Sequence, residues 1–378
     1  MANKIRVGLC GAGGYGEIYG SYLQKEEKNL PVEVVGIVEP FWKPSACNQG
    51  WKARKIPVFS TIEEFYEHTG ADLMIISSPI PFHAHQSEYA LRHGSQVLCE
   101  KPTAAVVSDA EQMIKAERET GKSIFIGFQL SFTDPILALK RDLLKGMYGR
   151  PVSGKCLVLW ERDFAYYSRG SGWAGKMYSK DGVPIYDSVA SNATAHYLHN
   201  LLFLLGSQMD TAAEVVKLEG DLLRANDIET FDSCRLKMET AEKVPLHFWV
   251  SHATKGNMDP VFELKLEKAT VYYSENGTPS LKAVTHDGQE IDYGNPKTEE
   301  QTMQKLIKTI NWVQGVGEKP VCTVETTLPF MHVIQRLFSM TPFAQFPEEK
   351  IQKDVQRQRV YVDGLFEEWV SQYQDGTF

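Results

Sequence analysis

The chain lacks any paired cysteine motif. Its six cysteines stand singly along the 378 residues, and no two of them form a Cys-x-x-Cys pair. This spacing excludes the common zinc and redox motifs and favours reduced thiols with a structural role.

Long apolar runs and a basic excess are also missing. The apolar run after the first four residues is far too short for a membrane span or a signal-peptide core, so the sequence predicts a cytoplasmic protein without a membrane partner. The formal net charge is -8, whereas nucleic-acid binding requires a basic face. We therefore expect no nucleic-acid partner.

The first third of the chain alternates short apolar runs with helical patterns, and no internal repeat interrupts them. Strands are predicted at residues 5–10, 32–38, 73–76, 96–99 and 123–127, and helices at 15–25, 83–92 and 107–120. Short apolar runs in this rhythm are typical of β-α-β units that build a parallel sheet.

After about residue 128 the pattern changes to strands that follow one another. Strand patterns occupy residues 152–160, 212–223, 230–239, 244–254 and 260–273. Helices are predicted at 135–144, 188–205, 298–313 and 325–340, and a last apolar-patterned segment at 360–373. Runs of neighbouring strands indicate a largely antiparallel sheet.

The segment Gly11-Ala12-Gly13-Gly14-Tyr15-Gly16 lies directly between the first strand and the first helix. In G-x-G-x-x-G the first glycine permits a tight turn, the second lets the backbone approach a pyrophosphate, and the third allows close helix packing. The helix N-terminus offers N–H groups to the phosphates. These residues therefore predict a dinucleotide site.

Glu39 ends the second strand, where such a site needs an acid. Its carboxylate can accept hydrogen bonds from both hydroxyls of the adenosine ribose, and it would repel a 2′-phosphate. The predicted cofactor is therefore NAD rather than NADP.

Two more segments, Ser77-Ser78-Pro79-Ile80-Pro81-Phe82-His83 and Glu100-Lys101-Pro102, follow later strands. With the glycine motif, they resemble the glucose-fructose oxidoreductase and inositol dehydrogenase family over the first 128 residues. The resemblance implies an α/β protein with an NAD-binding Rossmann domain at 1–128. An α+β domain with a large, mostly antiparallel open-faced sheet would follow at 129–378, bind substrate and form oligomers, and one late helix would pack back on the first domain.

The resemblance also implies roles for the two loops. Lys101 is expected beside the nicotinamide and the substrate. The peptide bond between Lys101 and Pro102 is expected to be cis. A lysine at the carboxyl end of a parallel strand points into the crevice where α/β sheets bind ligands. The other predicted cofactor contacts are Ser78, Pro79, His83 and Glu100. His83 has an alternative role, as a helix residue hydrogen-bonded to the backbone.

In the second domain the family usually carries Asp-x-Gly-x-His-x-x-Asp at a helix start. Here the stretch from Asn192 to His199 reads Asn-Ala-Thr-Ala-His-Tyr-Leu-His, so His196 takes the histidine position while an amide and a second imidazole replace the carboxylates. Helical spacing puts Asn192, His196 and His199 on one face, where they can converge on one substrate. Histidine is readily poised for proton transfer at neutral pH, so His196 is the candidate general acid or base.

Further substrate contacts are expected from Lys101, from Trp173 in an aromatic, glycine-rich loop at 166–173, and from Asp187, which could orient one histidine. Arg169 of the same loop could bind a hydroxyl or a carboxylate. His199 has the alternative of a structural role. No metal is predicted, because His-x-x-His supplies two imidazoles without an evident third ligand.

These features predict hydride transfer between nicotinamide and a hydroxyl-bearing carbon of a sugar, glycoside or cyclitol. Lys101 and His196 would share proton transfer and charge stabilisation, in either assignment. Two alternatives stay open: an NAD-recycling glycosidase that oxidises, eliminates and reduces, and a non-catalytic dinucleotide-binding sensor. Family habit implies a homodimer or homotetramer.

Overall fold

The computed structural model describes residues 4–169 and 172–378. These residues form two compact units. The first unit contains the chain up to Phe128 together with Met303–Thr327, and the second contains Gln129–Thr302 and Leu328–Phe378. The late segment that begins at Met303 therefore groups with the first unit.

The first unit is built on a parallel sheet of six strands in the order β3-β2-β1-β4-β5-β6. Its strands are β1 (Ile5–Cys10), β2 (Val32–Val38), β3 (Val58–Phe59), β4 (Leu73–Ile76), β5 (Gln96–Cys99) and β6 (Ile124–Ile126). The helices between them are α1 (Tyr15–Lys25), α2 (Ala46–Ala53), α3 (Ile62–His68), α4 (His83–Arg92) and α5 (Val107–Thr120). The strand order reverses between β1 and β4, which is where such sheets bind ligands.

The central strands β1, β4 and β5 are short, largely apolar and mostly buried, as is typical of parallel strands covered on both faces. The predicted Rossmann architecture is confirmed, and so are the bounds of α1, α4 and α5. The sequence pattern does not predict α2, α3 or β3. Both missed helices are short, but each has a hydroxyl at its N-cap: Ser45 accepts from the Asn48 N–H and Thr61 from the Glu64 N–H.

The second unit contains a nine-stranded sheet in the order β14-β13-β12-β11-β7-β10-β9-β8-β15. Its strands are β7 (Pro151–Leu159), β8 (Val215–Arg224), β9 (Ser233–Thr240), β10 (Pro245–Ser251), β11 (Met258–Leu266), β12 (Ala269–Ser274), β13 (Ser280–Thr285), β14 (Glu290–Gly294) and β15 (Ala344–Gln345). Neighbours are antiparallel except for β7 with β10 and β8 with β15. The predicted, mostly antiparallel sheet is confirmed.

The remaining elements follow the chain order. The helices are α6 (Asp134–Leu144), α7 (Phe164–Ser168), α8 (Ala195–Leu204), α9 (Glu299–Val313), α10 (Val324–Ser339) and α11 (Leu365–Asp375), with a π-helical turn at Val189–Ala193 ahead of α8. A separate hairpin pairs β16 (Ile351–Asp354) with β17 (Arg359–Val362). Among the described residues, no helix combines the length and the hydrophobicity needed to cross a bilayer.

Two sequence predictions merged separate elements. The single strand predicted at 260–273 is the hairpin of β11 and β12, whose turn at Glu267 and Lys268 lacks the glycine or asparagine that usually marks such turns. The segment predicted at 360–373 divides into β17 and α11 at Gly364, which has a positive φ of 76°. Trp369 of α11 then packs into a buried cluster with Leu157 and Trp249 of the large sheet.

Candidate functional site

The glycine loop occupies the bend between β1 and α1. Gly11 and Gly14 have φ values of 87° and 55°, which favour glycine. A Cβ on Gly11 would lie 2.7 Å from the Ser77 carbonyl, and one on Gly16 would overlap the Gly11 carbonyl oxygen. By contrast, a Cβ on Gly13 or Gly14 would meet no heavy atom of the described residues within 4 Å. Gly11 and Gly16 are therefore closely packed, whereas the space beside Gly13 and Gly14 is open to an approaching pyrophosphate.

Glu39 is fixed beside this loop at the end of β2. Its Oε2 accepts a hydrogen bond from the Ala12 N–H at 2.9 Å, and its Oε1 accepts one from the Phe41 N–H, also at 2.9 Å. Each carboxylate oxygen retains capacity for a further donor. The residues present thus fit a dinucleotide, with open space for the pyrophosphate and a positioned acceptor for ribose hydroxyls.

His83 connects the two loops that carry the other predicted cofactor residues. Its Nδ1 lies 2.9 Å from the Pro102 carbonyl oxygen and its Nε2 lies 2.9 Å from that of Ser78. Burial lowers the pKa of His83. This geometry matches the backbone-bonded alternative for His83, and cofactor contact of Ser78 and Pro79 stays a prediction. The peptide bond from Lys101 to Pro102 is cis, as the resemblance implied.

Glu100 belongs to a buried polar cluster of the first unit. Its carboxylate pairs with the ammonium of Lys305 and accepts a hydrogen bond from the Tyr19 hydroxyl at 2.6 Å. The Lys305 ammonium also lies 4.1 Å from the centre of the Tyr15 ring. The other Glu100 oxygen accepts from the Lys101 N–H at 3.3 Å, so the cluster holds the backbone of the candidate catalytic lysine.

Lys305 is a site residue that no motif in the sequence predicts. It lies in α9 and its side chain is buried. Lysine is almost never fully buried unless it is paired, and a single sequence does not show the pairing. Lys101 itself is half-buried just after β5.

In the second unit, Asp187 fixes the amide of Asn192. Asp187 is buried; its Oδ1 accepts from Asn192 Nδ2 at 2.8 Å and its Oδ2 accepts from the Gly175 N–H at 2.7 Å. Asn192 lies in the π-helical turn, and the half-buried His196 follows four positions later in α8. The single helix predicted at 188–205 is therefore divided into the π-helical turn at Val189–Ala193 and α8 at Ala195–Leu204, and substrate contact of Asn192 and His196 stays a prediction.

His199 lies in an apolar environment. Its side chain is fully buried against the rings of Phe203 and Phe330, and its Nε2 lies 3.1 Å from the Ser131 hydroxyl. Burial and the positive charge of Lys140 lower the pKa of His199 to about 3, so the imidazole is neutral. This environment favours the structural role over the predicted substrate contact.

Trp173 packs in a cluster of aromatic and basic side chains. The Arg169 guanidinium lies 4.7 Å from the Trp173 ring and 3.5 Å from the Tyr166 ring. Gly170 and Ser171 of the predicted loop lie outside the described residues. The second unit also contains a small cavity. The residues that line it include Tyr166, Tyr167, Asp187, Thr230, Asp232 and His252. Sequence reasoning missed His252, because it comes from a distant strand end.

All six cysteines are free and buried. Burial raises the pKa of the Cys10 and Cys99 thiols, so they are held protonated. Within residues 4–169 and 172–378, no group of three or more histidine, cysteine, aspartate or glutamate side chains is placed to hold a metal ion.

Residues 5–128 match a family described as an oxidoreductase family with an NAD-binding Rossmann fold. The inositol 2-dehydrogenase of Acidothermus cellulolyticus is 28% identical over 150 residues, which are 39% of this chain and 43% of that protein. The inositol 2-dehydrogenase/D-chiro-inositol 3-dehydrogenase of Shouchella clausii is 27% identical over 154 residues, 40% of this chain and 44% of that protein. The aligned region thus spans less than half of these relatives.

Solved structures share the fold along most of the chain. The WlbA dehydrogenase of Bordetella pertussis, in complex with NADH and UDP-GlcNAcA, superposes with a TM-score of 0.69 at 20% identity, covering 89% of this chain and 96% of that one. The aldose-aldose oxidoreductase of Caulobacter crescentus superposes with a TM-score of 0.71 at 16% identity, covering 89% and 97%. The family that residues 5–128 match has an NAD-binding Rossmann fold, which agrees with the predicted cofactor and with the resemblance seen in the sequence.

Proposed function

We propose that this protein is an NAD-dependent oxidoreductase acting on a hydroxyl-bearing carbon of a sugar, glycoside or cyclitol. The observation that carries the proposal is the Glu39 carboxylate bonded to the Ala12 N–H of an open glycine loop. The relatives named inositol 2-dehydrogenase support a polyhydroxylated substrate. NAD, when bound, supplies the redox chemistry by exchanging a hydride at its nicotinamide ring.

The first unit binds and orients the dinucleotide. The N-terminus of α1 has no side-chain cap from the described residues, so its backbone N–H groups can serve the pyrophosphate. Glu39 accepts from the adenosine ribose and repels a 2′-phosphate, which selects NAD.

Lys101 and His196 perform the proton chemistry. The Lys101 ammonium stabilises negative charge on the reacting oxygen, and the buried pair of Glu100 and Lys305 keeps its backbone in place. His196 takes the proton of the substrate hydroxyl. The Asn192 amide, oriented by Asp187, binds a neighbouring hydroxyl. In the alternative assignment a neutral Lys101 amine would take the hydroxyl proton, and the His196 imidazole would donate a hydrogen bond to the reacting oxygen.

A homodimer or homotetramer is part of the proposal. Large apolar side chains are exposed on three strands of the nine-stranded sheet, at Val152, Val216 and Tyr272. Such side chains suit burial against a second copy of the chain. Light scattering during size-exclusion chromatography should give a mass of two or four chains.

The activity can be tested by pairing calorimetry with absorbance measurements. We expect NAD to bind more tightly than NADP, and NADH to accumulate with at least one compound from a panel of inositols, aldoses and glycosides. Sugar release from a glycoside with catalytic NAD and no net NADH would support the glycosidase instead. A failure of both dinucleotides to bind would refute the proposal.

A further inference from the structure

Arg169 is held between two aromatic rings in the second unit. Its guanidinium carbon lies 3.5 Å from the centre of the Tyr166 ring and 4.7 Å from that of Trp173. A guanidinium has five N–H donors. Aromatic faces attract its charge without satisfying most of these donors, and a hydrogen bond with Tyr166 uses only part of them. The stacked guanidinium therefore retains donors for a ligand.

A second arginine flanks the same tyrosine. The Arg162 guanidinium carbon lies 4.8 Å from the centre of the Tyr166 ring. Its Nη1 donates to the Glu161 carbonyl at 3.3 Å, while its buried Nε has no hydrogen-bond partner among the described residues. Two half-buried cations thus share one aromatic ring.

Neither arginine forms an ion pair with a carboxylate of the described residues, and the neighbouring Gly170 and Ser171 carry no carboxylate. Other arginines of this unit are paired, for example Arg150 with Glu267. Two cations without an acidic partner favour an anion between or beside them, because attraction between opposite charges strengthens away from bulk water. A planar guanidinium is suited to a carboxylate or a phosphate.

The cavity lined by Tyr166 contains two uncharged polar groups, the His252 imidazole and the Tyr167 hydroxyl. His252 Nδ1 donates to the Trp160 carbonyl at 2.8 Å, which leaves Nε2 as an acceptor. Burial and the charge of Arg162 lower the pKa of His252 to about 3 and keep the ring neutral. The Nε2 atom and the Tyr167 hydroxyl are buried without hydrogen-bond partners in the described part of the chain. An acceptor and a donor together suit a hydroxyl group.

Two carboxylates in the cavity favour a neutral group there over an anion. Asp187 and Asp232 line the cavity, and their charges would repel an anion from its interior. A negative group is therefore directed to Arg169 and Arg162, while the cavity accepts a neutral hydroxyl. This arrangement discriminates between the two kinds of group on one molecule.

We infer that the second unit recognises an oxyanion, either a carboxylate or a phosphate, carried by the sugar or cyclitol substrate, through Arg169 assisted by Arg162. The inference rests on the proposed function, because it names the substrate class of that enzyme. The preferred substrate is an acidic polyol, with its anionic group at the arginines and a hydroxyl at Tyr167 and His252.

Calorimetry of the full chain with D-glucuronate, D-glucose 6-phosphate and D-glucose tests the inference. We expect one of the acids to bind about tenfold or more tightly than glucose, because hydrogen bonds to charged groups are the stronger ones. The preferred acid distinguishes carboxylate from phosphate. Arg169→Gln should weaken its binding about ten- to hundredfold, and Arg169→Lys should recover only part of that loss.

Arg150→Gln is the matched control, since it removes the same charge from an exposed arginine of the same unit. It should leave acid binding within about twofold. Acids that bind no better than glucose, or an equal loss in the Arg150 variant, would overturn the inference. NAD binding is measured separately on the same samples. Its absence would refute the proposed oxidoreductase, while the binding of acids without cofactor would still decide the role of the arginines.

Discussion

The Lys305 ammonium and the Glu100 carboxylate, 205 positions apart in the sequence, form an ion pair inside the first unit with almost no exposure to solvent. Tyr19 donates to the same carboxylate. The pair ties α9 to the residue that precedes Lys101, so a late helix fixes the position of an early loop.

Removing one member of this pair should destabilise the fold. Lys305→Met leaves the Glu100 charge buried and uncompensated, so we expect the free energy of unfolding to fall by about 3–5 kcal/mol. Urea denaturation followed by tryptophan fluorescence measures it. The double variant Glu100→Gln with Lys305→Met should regain part of the loss.

The control for this prediction is Lys115→Met in the same unit. Lys115 is exposed and pairs with Glu119 one helical turn away. Such a surface pair contributes less than about 1 kcal/mol. Equal stability of the Lys305 and Lys115 variants would show that the buried pair is not needed.

The sequence predicted the parts of the fold in which local pattern and tertiary environment agree. Helices such as α5, with regular apolar spacing over 14 residues, were placed correctly. The seven-residue α3 was missed because so short a helix has little periodicity, although Thr61 and Glu64 carry its N-terminal signal. The turn at Glu267 was missed because charged residues there break no pattern.

Site residues could be predicted from the sequence only where their partners lie at a short, fixed spacing along the chain. The glycine loop and Glu39 are recognisable because a fixed spacing carries their function. The spacing of His196 and His199 correctly placed both residues on one helix, but the burial of His199 depends on Ser131 and Phe330, which are far away in the sequence. The proximity of Arg162 to His252, which is also far away in the sequence, could not be predicted for the same reason.

Glu39 should control the choice of cofactor. In Glu39→Gln the amide accepts less strongly from the ribose hydroxyls and no longer repels a phosphate. We expect the dissociation constant for NAD to rise about tenfold and the preference for NAD over NADP to shrink. Calorimetry with both dinucleotides measures the change.

Glu33→Gln serves as the comparison, because Glu33 lies on the same strand with an exposed side chain. It should leave both affinities within about twofold, as expected for a distant, screened charge. An unchanged ratio of NAD to NADP affinity in the Glu39 variant would remove that residue from cofactor selection.

Lys101 should affect turnover far more than cofactor binding. Replacing it with methionine removes the charge that stabilises the reacting oxygen, so we expect kcat to fall by about 100-fold to 1000-fold with NAD affinity nearly unchanged. Stopped-flow absorbance of NADH gives kcat, and calorimetry gives the affinity. Lys115→Met is again the control, and wild-type turnover in Lys101→Met would exclude the lysine from the mechanism.

His196 and His199 should separate in their effects. His196→Gln removes the proposed proton acceptor, so kcat should fall by about 100-fold or more. His199→Gln changes a buried packing residue and should mainly lower stability, with turnover of the folded enzyme retained above that of the His196 variant. The reverse order of turnover would assign the proton transfer to His199.

The burial of His199 should make stability depend on pH. Its pKa falls from an ordinary value of 6.5 to about 3 in the folded chain. Between these values the unfolded chain binds a proton that the folded chain does not. The stabilising contribution of the neutral His199 imidazole is therefore complete above about pH 6.5 and is lost as the pH falls towards 3. His252 has a pKa lowered to the same value and acts in the same direction.

For each of these histidines the loss approaches about 1.4 kcal/mol per pH unit below pH 6.5. Urea denaturation at pH 7.5 and at pH 5.0 gives the unfolding free energy that is lost on acidification. We expect this loss to be about 2 kcal/mol smaller in His199→Gln than in the wild type. His286→Gln, which changes an exposed histidine of the same unit, should keep the wild-type difference. If the His199 variant keeps it as well, the imidazole is protonated in the folded chain and its burial does not set the acid sensitivity.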